Sequence, residues 1–147
     1  MAEQLITISP STNQPIVTRA ALSTADIALL PRTAERAFDT YRLTSLRKRQ
    51  AIVEKALEIL YGKQDDLAKE LADQMGRPIA YGAKEIATAV ARGRYLLKIS
   101  EDALKDTPGE AEKGFKRYIR KVPVGPVLIL FAWNVSFDYY ICVGLLK

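Results

Sequence analysis

The spacing of apolar residues divides the chain into three regions. Residues 1–22 place two short apolar runs, at 5–8 and 16–17, on either side of a turn rich in serine, proline and asparagine, which predicts a hairpin. Residues 23–108 carry apolar positions every three or four residues, a pattern typical of helices. Residues 109–147 change to β-favouring runs. We therefore predict an extended N-terminal segment, a helical region and the beginning of a sheet.

Two helices are predicted in the first half of the helical region. The hydroxyl side chains at 23–24 can cap the first helix, and Pro31 is expected to kink it or to end its first turns. The second helix follows the pair at 44–45 and should end at Gly62, because glycine tolerates a left-handed conformation. The apolar faces comprise Ile27, Leu30, Ala34, Ala37, Phe38 and Tyr41 on the first helix and Ile52, Val53, Ala56, Leu57 and Leu60 on the second.

Two further helices complete the region. The third is predicted from about residue 64 to Met75, with Gly76 after its end. The fourth follows Pro78 and continues from about residue 81 to 105. Their inward positions are predicted to be Leu67, Leu71 and Met75 on the third helix and Ile86, Val90 and Leu97 on the fourth.

The last region predicts strands of two kinds. Residues 115–122 are β-favouring and basic, which indicates an exposed strand. Residues 127–131 are continuously apolar after Pro-Val-Gly-Pro, as in a strand of a parallel sheet that is buried on both faces. Such a strand needs neighbours on both sides. The predicted fold class is therefore α/β and mostly helical: a four-helix layer followed by the first strands of an incomplete sheet, the beginning of a larger α/β protein.

Composition narrows the possible chemistry. With 147 residues, 48% of them hydrophobic and 27% charged, the chain has the length and balance of one globular domain. It contains no histidine, which excludes the commonest general base and metal ligand, and a net charge of +5 permits an acidic partner without requiring one. The single cysteine, Cys142, excludes an internal disulfide and a cysteine-cluster metal site, and fits a reducing compartment. We predict no metal site.

Neither a leader nor a membrane span is predicted. The first twenty residues lack a basic segment followed by an apolar one, so no secretory signal is visible. Residues 122–146 are long and apolar, but Pro123, Pro126, Asn134 and Asp138 interrupt them, which favours a buried strand over a span. We expect a cytoplasmic protein with no membrane partner.

Several motifs in this order resemble one family. They are Ala34 with Ala37-Phe38 and Tyr41-Arg42, then Arg49 with Ile52, then Met75-Gly76-Arg77-Pro78, and then Glu85-Ile86. This helical region resembles the N-terminal part of the aldehyde dehydrogenase superfamily. Residues 120–134, which end in Phe-Ala-Trp-Asn, resemble the first strand of that family's nucleotide-binding domain and the turn after it. The resemblance runs from about residue 16 to Asn134, over about the first third of a family member.

The resemblance implies roles for four residues. Asn134 matches the family asparagine whose amide donates a hydrogen bond to the oxyanion that forms when a cysteine attacks the aldehyde. An amide suits that task because it stabilises negative charge without titrating near pH 7. Phe131, Ala132 and Trp133 match the stretch beside the nicotinamide end of the cofactor, NAD or NADP. A small-molecule aldehyde is the implied substrate.

The chain departs from the family pattern at several points. Ala132 and Ser136 stand where the family usually has prolines, and these substitutions loosen the turn that aims the amide. The family's nucleophilic cysteine, glutamate base and pyrophosphate-binding glycine turn lie beyond the matched part. Cys142 is not a substitute, because its apolar surroundings disfavour the thiolate. The resemblance therefore implies a truncated homologue without autonomous dehydrogenase activity.

The sequence is also compatible with other functions. The incomplete sheet favours a homo-oligomer or association with a full-length relative, as a non-catalytic interaction module. The helical scaffold can also serve a non-redox step of a biosynthetic pathway, since a fold does not fix a function. Residues 113–121 interleave basic and aromatic side chains, as single-strand nucleic-acid surfaces do, but a basic edge strand explains them as well and we expect no nucleic-acid partner.

Overall fold

Four helices and two short antiparallel strand pairs make up residues 3–130, the part of the chain that the computed structural model describes. The predicted class, a mostly helical fold with an incomplete sheet, is confirmed. In chain order the elements are β1 (Gln4–Ile8), β2 (Pro15–Ala20), α1 (Thr24–Tyr41), α2 (Leu46–Gly62), α3 (Gln64–Met75), α4 (Ile79–Leu104), β3 (Thr107–Pro108) and β4 (Tyr118–Ile119).

The predicted hairpin is confirmed as β1 paired with β2, with Gln4 opposite Ala20 and a register shift after Thr7. Its turn is closed by Ser9, whose N–H donates to the carbonyl of Gln14 at 2.9 Å. The turn lies against the end of α3, where Pro10 approaches Gly76 so closely that a Cβ there would sit 2.9 Å from the proline ring. Gly76 also has a φ of +69°, so two constraints require glycine at this helix end.

Helix α1 begins at the predicted cap. The Ser23 hydroxyl accepts from the Asp26 N–H at 3.1 Å, and the Asp26 carboxylate accepts from the Ser23 N–H at 3.3 Å, which is a capping box. The helix continues through Pro31, so the expectation that proline ends its first turns is wrong. No residue of α1 is buried and Phe38 is half-buried, so the rest of the described chain covers little of the apolar stripe.

The core lies where α2 and α3 pack against α4. The inward positions predicted on α3 and α4 are confirmed, but Ile52 of α2 is 48% exposed and does not join them. The buried side chains are Val53, Leu57, Leu71, Ile86, Ala89 and Val90, with Leu60, Leu67, Met75 and Leu97 packed around them.

Helix α3 approaches α4 closely and follows α2 almost without a break. Gly82 of α4 faces Ala68 of α3, and a Cβ on Gly82 would lie 2.7 Å from the Ala68 Cα. Helices α2 and α3 are separated by Lys63 alone, with φ −104° and ψ 13°. Helix α2 ends at Gly62 as predicted, but Gly62 is not among the positive-φ glycines, so the expected left-handed end is wrong.

The chain after α4 forms less sheet than the sequence predicts. Within residues 115–122, Phe115 forms an isolated bridge with Glu112, and the one strand is β4, whose Tyr118 and Ile119 lie opposite Pro108 and Thr107. Residues 127–130 form no strand, and Leu128 and Leu130 are 83% and 87% exposed. The predicted buried strand is therefore wrong over these four residues. A parallel strand forms only where neighbouring strands complete its hydrogen bonds, and residues 3–130 place none beside it.

Candidate functional site

The predicted site residues, Phe131, Ala132, Trp133 and Asn134, lie outside the described residues, as does Cys142. The structure does describe the segment that leads directly to them, residues 120–130, and the helices along which this segment runs.

Residues 120–130, which we call the approach segment, run along the helical layer past a pocket and then past a groove. Residues 121–124 line a pocket together with Leu46 and Arg49 from the beginning of α2 and Leu104 from the end of α4. Residues 125–127 then line an apolar groove of about 560 Å³ beside the second half of α1. The α1 side of this groove includes Ala34, Ala37, Phe38 and Tyr41, the residues of the first resemblance motif. The motif on α1 therefore lies beside the chain four residues before Phe131.

One ion pair and one hydrogen bond to the backbone hold the beginning of the segment. The Arg120 guanidinium donates to both carboxylate oxygens of Asp106, with Nη2 2.8 Å from Oδ2 and Nε 3.2 Å from Oδ1, and it lies 4.8 Å from the centre of the Tyr118 ring. These hydrogen bonds from Arg120 hold the pKa of the Asp106 carboxyl below its ordinary value, since they stabilise the charged form. The Lys121 ammonium donates a hydrogen bond to the carbonyl oxygen of Ala103, which lies in the last turn of α4.

Gly125 sets the direction of the segment as it leaves the pocket. Its φ is +134°, a conformation that side chains rarely adopt, and a Cβ there would meet no neighbouring atom. Conformation rather than space therefore requires glycine in Pro-Val-Gly-Pro, where the chain turns from α2 towards α1.

A second polar cluster joins two other resemblance motifs. Arg77, between α3 and α4, forms an ion pair with Glu85 of α4. The Glu85 side chain is only 10% exposed, and its Oε1 atom is buried without a hydrogen-bond partner. The structure brings these two motif residues together at the junction of the helices, which assigns them a role in holding α4 against the end of α3.

Two cationic residues of the first pocket, Arg49 and Lys121, were not predicted as site residues from the sequence. The sequence places Arg49 in a resemblance motif, and Lys121 in the basic strand and in the resemblance segment 120–134, but neither as a site residue. The sequence feature that identifies Arg49 as a candidate is its position one helical turn before the core residue Val53. This spacing puts a charged side chain near the buried face of α2.

The comparisons with known proteins agree with this architecture. The model of the aldehyde dehydrogenase family matches residues 1–142. The chain belongs to the aldehyde dehydrogenase family.

Individual relatives match nearly the whole chain but a small part of their own length. The chain is 31% identical over 134 residues to a succinate-semialdehyde dehydrogenase (NADP+) of Mycobacterium avium, covering 88% of this chain and 28% of the relative. It is 30% identical to a 3-succinoylsemialdehyde-pyridine dehydrogenase of a Pseudomonas species, covering 90% and 27%. The chain therefore spans less than a third of the length of these curated relatives.

Solved structures show the same fold. The crystal structure of PnpE from Pseudomonas sp. WBC-3 superposes with a TM-score of 0.84 at 22% identity, over 95% of this chain and 28% of that one. An aldehyde dehydrogenase from Bartonella henselae gives a TM-score of 0.66 at 28% identity, over 78% and 24%. The arrangement of helices and hairpins in residues 3–130 is thus that of the beginning of an aldehyde dehydrogenase subunit.

No helix between residues 3 and 130 combines the length and hydropathy needed to cross a bilayer. The same residues contain no group of three or more histidine, cysteine, aspartate or glutamate side chains placed to hold a metal ion.

Proposed function

We propose that this chain supplies the N-terminal helical layer and the oxyanion-binding turn of an NAD(P)-dependent aldehyde dehydrogenase. The observation that carries the proposal is the family match over residues 1–142, which includes Asn134. The names of the relatives, succinate-semialdehyde and glutarate-semialdehyde dehydrogenase among them, make a semialdehyde the first substrate class to test.

In this proposal Asn134 donates a hydrogen bond from its side-chain amide to the oxygen of the aldehyde as that oxygen becomes negative. The amide has two N–H donors and no proton to lose near pH 7, so its donor capacity does not vary with pH. Phe131, Ala132 and Trp133 line the nicotinamide end of NAD or NADP. The approach segment, fixed by Arg120 and Lys121 and turned by Gly125, sets where this stretch begins.

The dinucleotide itself does not fit residues 3–130. Their strands form two antiparallel pairs, whereas dinucleotides bind at the carboxyl ends of parallel strands, beside a glycine-rich turn that begins a helix. The resemblance also places the family's nucleophilic cysteine and glutamate base beyond the matched part of the chain. We therefore propose that the chain by itself carries out no aldehyde oxidation, and that its helices position the turn for a sheet completed by other residues.

The test is a direct assay of the purified 147-residue chain. Succinate semialdehyde, glutarate semialdehyde and an aromatic aldehyde are each supplied with NAD+ or NADP+, and reduced nicotinamide is followed by absorbance. We expect no signal above a protein-free blank, for the wild type and for Asn134→Ala alike. Cofactor reduction by the wild type that Asn134→Ala lowers by about 100- to 1,000-fold, the usual effect of losing one oxyanion donor, would contradict the proposal.

A second candidate function is self-association, or association with a full-length relative. Leu128 and Leu130 are almost fully exposed, and α1 buries none of its residues. Covering each large apolar side chain is worth roughly 1.5–3 kcal/mol, and an unpaired apolar segment is a template for pairing with another chain. A two-fold homodimer with residues 127–130 in or near the interface is the simplest assembly that covers them.

Sedimentation tests this assembly. We expect the wild type to sediment as a dimer and the double variant Leu128→Lys, Leu130→Lys to sediment as a folded monomer. Leu22→Lys is the matched control, because Leu22 is also exposed and apolar, at 59%, but lies before α1. That control should stay dimeric. If wild type and double variant are both folded monomers of the same shape, residues 127–130 are not an interface.

A further inference from the structure

The pocket at the beginning of the approach segment contains two cationic side chains and no acidic one. Its volume is about 280 Å³. Its walls are formed by Leu46 and Arg49 of α2, Leu104 of α4 and residues 121–124, that is Lys121, Val122, Pro123 and Val124. A water molecule occupies about 30 Å³ in the liquid, so this space is large enough for a small organic molecule or a side chain.

Arg49 lacks a partner in this pocket. Its Nε atom is buried and has no hydrogen-bond partner, and Arg49 forms none of the ion pairs found among residues 3–130. Of the carboxylates at the end of α4, Asp102 pairs with Lys105, Asp106 pairs with Arg120, and Glu101 does not line the pocket. Arg49 is therefore a cationic wall residue of the pocket that has no ion-pair partner among residues 3–130.

Lys121 supplies a second charge with spare donors. One hydrogen bond from its ammonium goes to the carbonyl of Ala103, and this bond fixes the side chain against the end of α4. An ammonium has three N–H donors, so two stay available. The remaining walls, formed by leucine, valine and proline side chains, are apolar.

We propose that this pocket binds a carboxylate. A guanidinium presents pairs of parallel N–H groups that match the two oxygens of a carboxylate, and Arg49 is the guanidinium in the wall of this pocket. Lys121 adds a point charge, and the apolar walls suit the carbon chain of an organic acid better than the four oxygens of a phosphate. The carboxylate comes from a free organic acid or from an aspartate or glutamate side chain of a second copy. The site is independent of the proposed catalytic role of Asn134.

The experiment titrates the 147-residue chain with succinate, with inorganic phosphate, and with chloride at matched ionic strength. The readouts are the Nε–H resonance of Arg49, assigned by its loss in Arg49→Lys, and the thermal midpoint. We expect succinate to shift the resonance saturably and to raise the midpoint, and chloride to do neither. Arg49→Lys, which removes the planar fork, and Lys121→Gln should each weaken succinate binding by about tenfold. Phosphate should bind more weakly than succinate.

Arg47→Gln is the matched control, since Arg47 lies on the same turn of α2, is exposed and does not line the pocket. It should leave succinate binding unchanged. If the carboxylate comes from a second copy, the Arg49 resonance shifts with protein concentration before any acid is added, and succinate reverses that dependence. The proposal is wrong if chloride or phosphate acts like succinate, or if Arg47→Gln weakens binding as much as Lys121→Gln. Circular dichroism of each variant establishes that it is folded, and Lys121→Gln decides the result if Arg49→Lys is not.

Discussion

Leu57→Ala is expected to lower the free energy of unfolding by about 3 kcal/mol. Leu57 is fully buried, among the core residues where α2 and α3 meet α4. Truncation removes its buried methyl groups and leaves a cavity that the surrounding helices fill only in part. For a domain of this length the loss corresponds to a decrease of about 10 °C in the thermal midpoint. Urea unfolding followed by circular dichroism measures the free energy.

Ile59→Ala serves as the matched control for that prediction. Ile59 lies on the same helix and loses the same number of carbons, but it is 53% exposed. Its truncation should cost less than about 1 kcal/mol, as most surface substitutions do. Equal losses for Leu57→Ala and Ile59→Ala would show that the helices do not pack around α4 as described.

Gly82→Ala is expected to destabilise the chain by about 2 kcal/mol, although alanine is the better helix former by about 1 kcal/mol. The new Cβ would lie 2.7 Å from both the Cα and the Cβ of Ala68 and 3.1 Å from the Ala68 carbonyl oxygen. Two of these three atoms belong to the backbone, so the overlap is relieved only if α3 and α4 move apart. That separation loosens the packing of Leu71 against Ile86 and its neighbours in the core.

The same substitution at Gly62 should have the opposite sign. Gly62 is the last residue of α2, and a Cβ built on it meets no atom within 4 Å. Gly62→Ala is therefore expected to stabilise the chain by about 0.5–1 kcal/mol, because alanine has less backbone entropy to lose. Thermal unfolding of the two variants side by side distinguishes close helix contact from helix propensity. A stabilised Gly82→Ala variant would rule out the close contact with Ala68.

Helix positions followed from local signals. The capping box of Ser23 and Asp26, the apolar spacing of α3 and the glycine after Met75 each act within a few residues, and α3 was predicted with the bounds that the structure has. Two expectations about helix ends were wrong: that Pro31 ends the first turns of α1, which was one of its two expected effects, and that Gly62 is left-handed. A proline lowers the stability of a helix but does not forbid it, and α1 continues through Pro31. Helix α2 is followed by α3 after Lys63 alone, so its last residue does not need the left-handed conformation.

Burial was harder to predict than helix position. Val53 and Ile52 are adjacent apolar residues on α2, yet Val53 is 3% exposed and Ile52 is 48% exposed, since α4 covers only one side of the helix. The predicted strand at 127–131 shows the same limit. Its continuous apolar composition predicts that other elements bury both of its faces. Leu128 and Leu130 are nevertheless exposed in the described residues 127–130, because burial depends on which elements lie beside a segment.

Local sequence signals were enough to predict the helices, the hairpin and the family, because capping, periodicity and motif order are properties of neighbouring residues. Only the tertiary structure showed that α1 is left uncovered, that Gly82 touches Ala68, and that Arg49 and Lys121 line one pocket without an acid. Arg49 and Lys121 are more than seventy residues apart in the chain. Their proximity depends on the packing of α2 against α4 and on the return of residues 121–124 across both, and no local pattern encodes such a long-range contact.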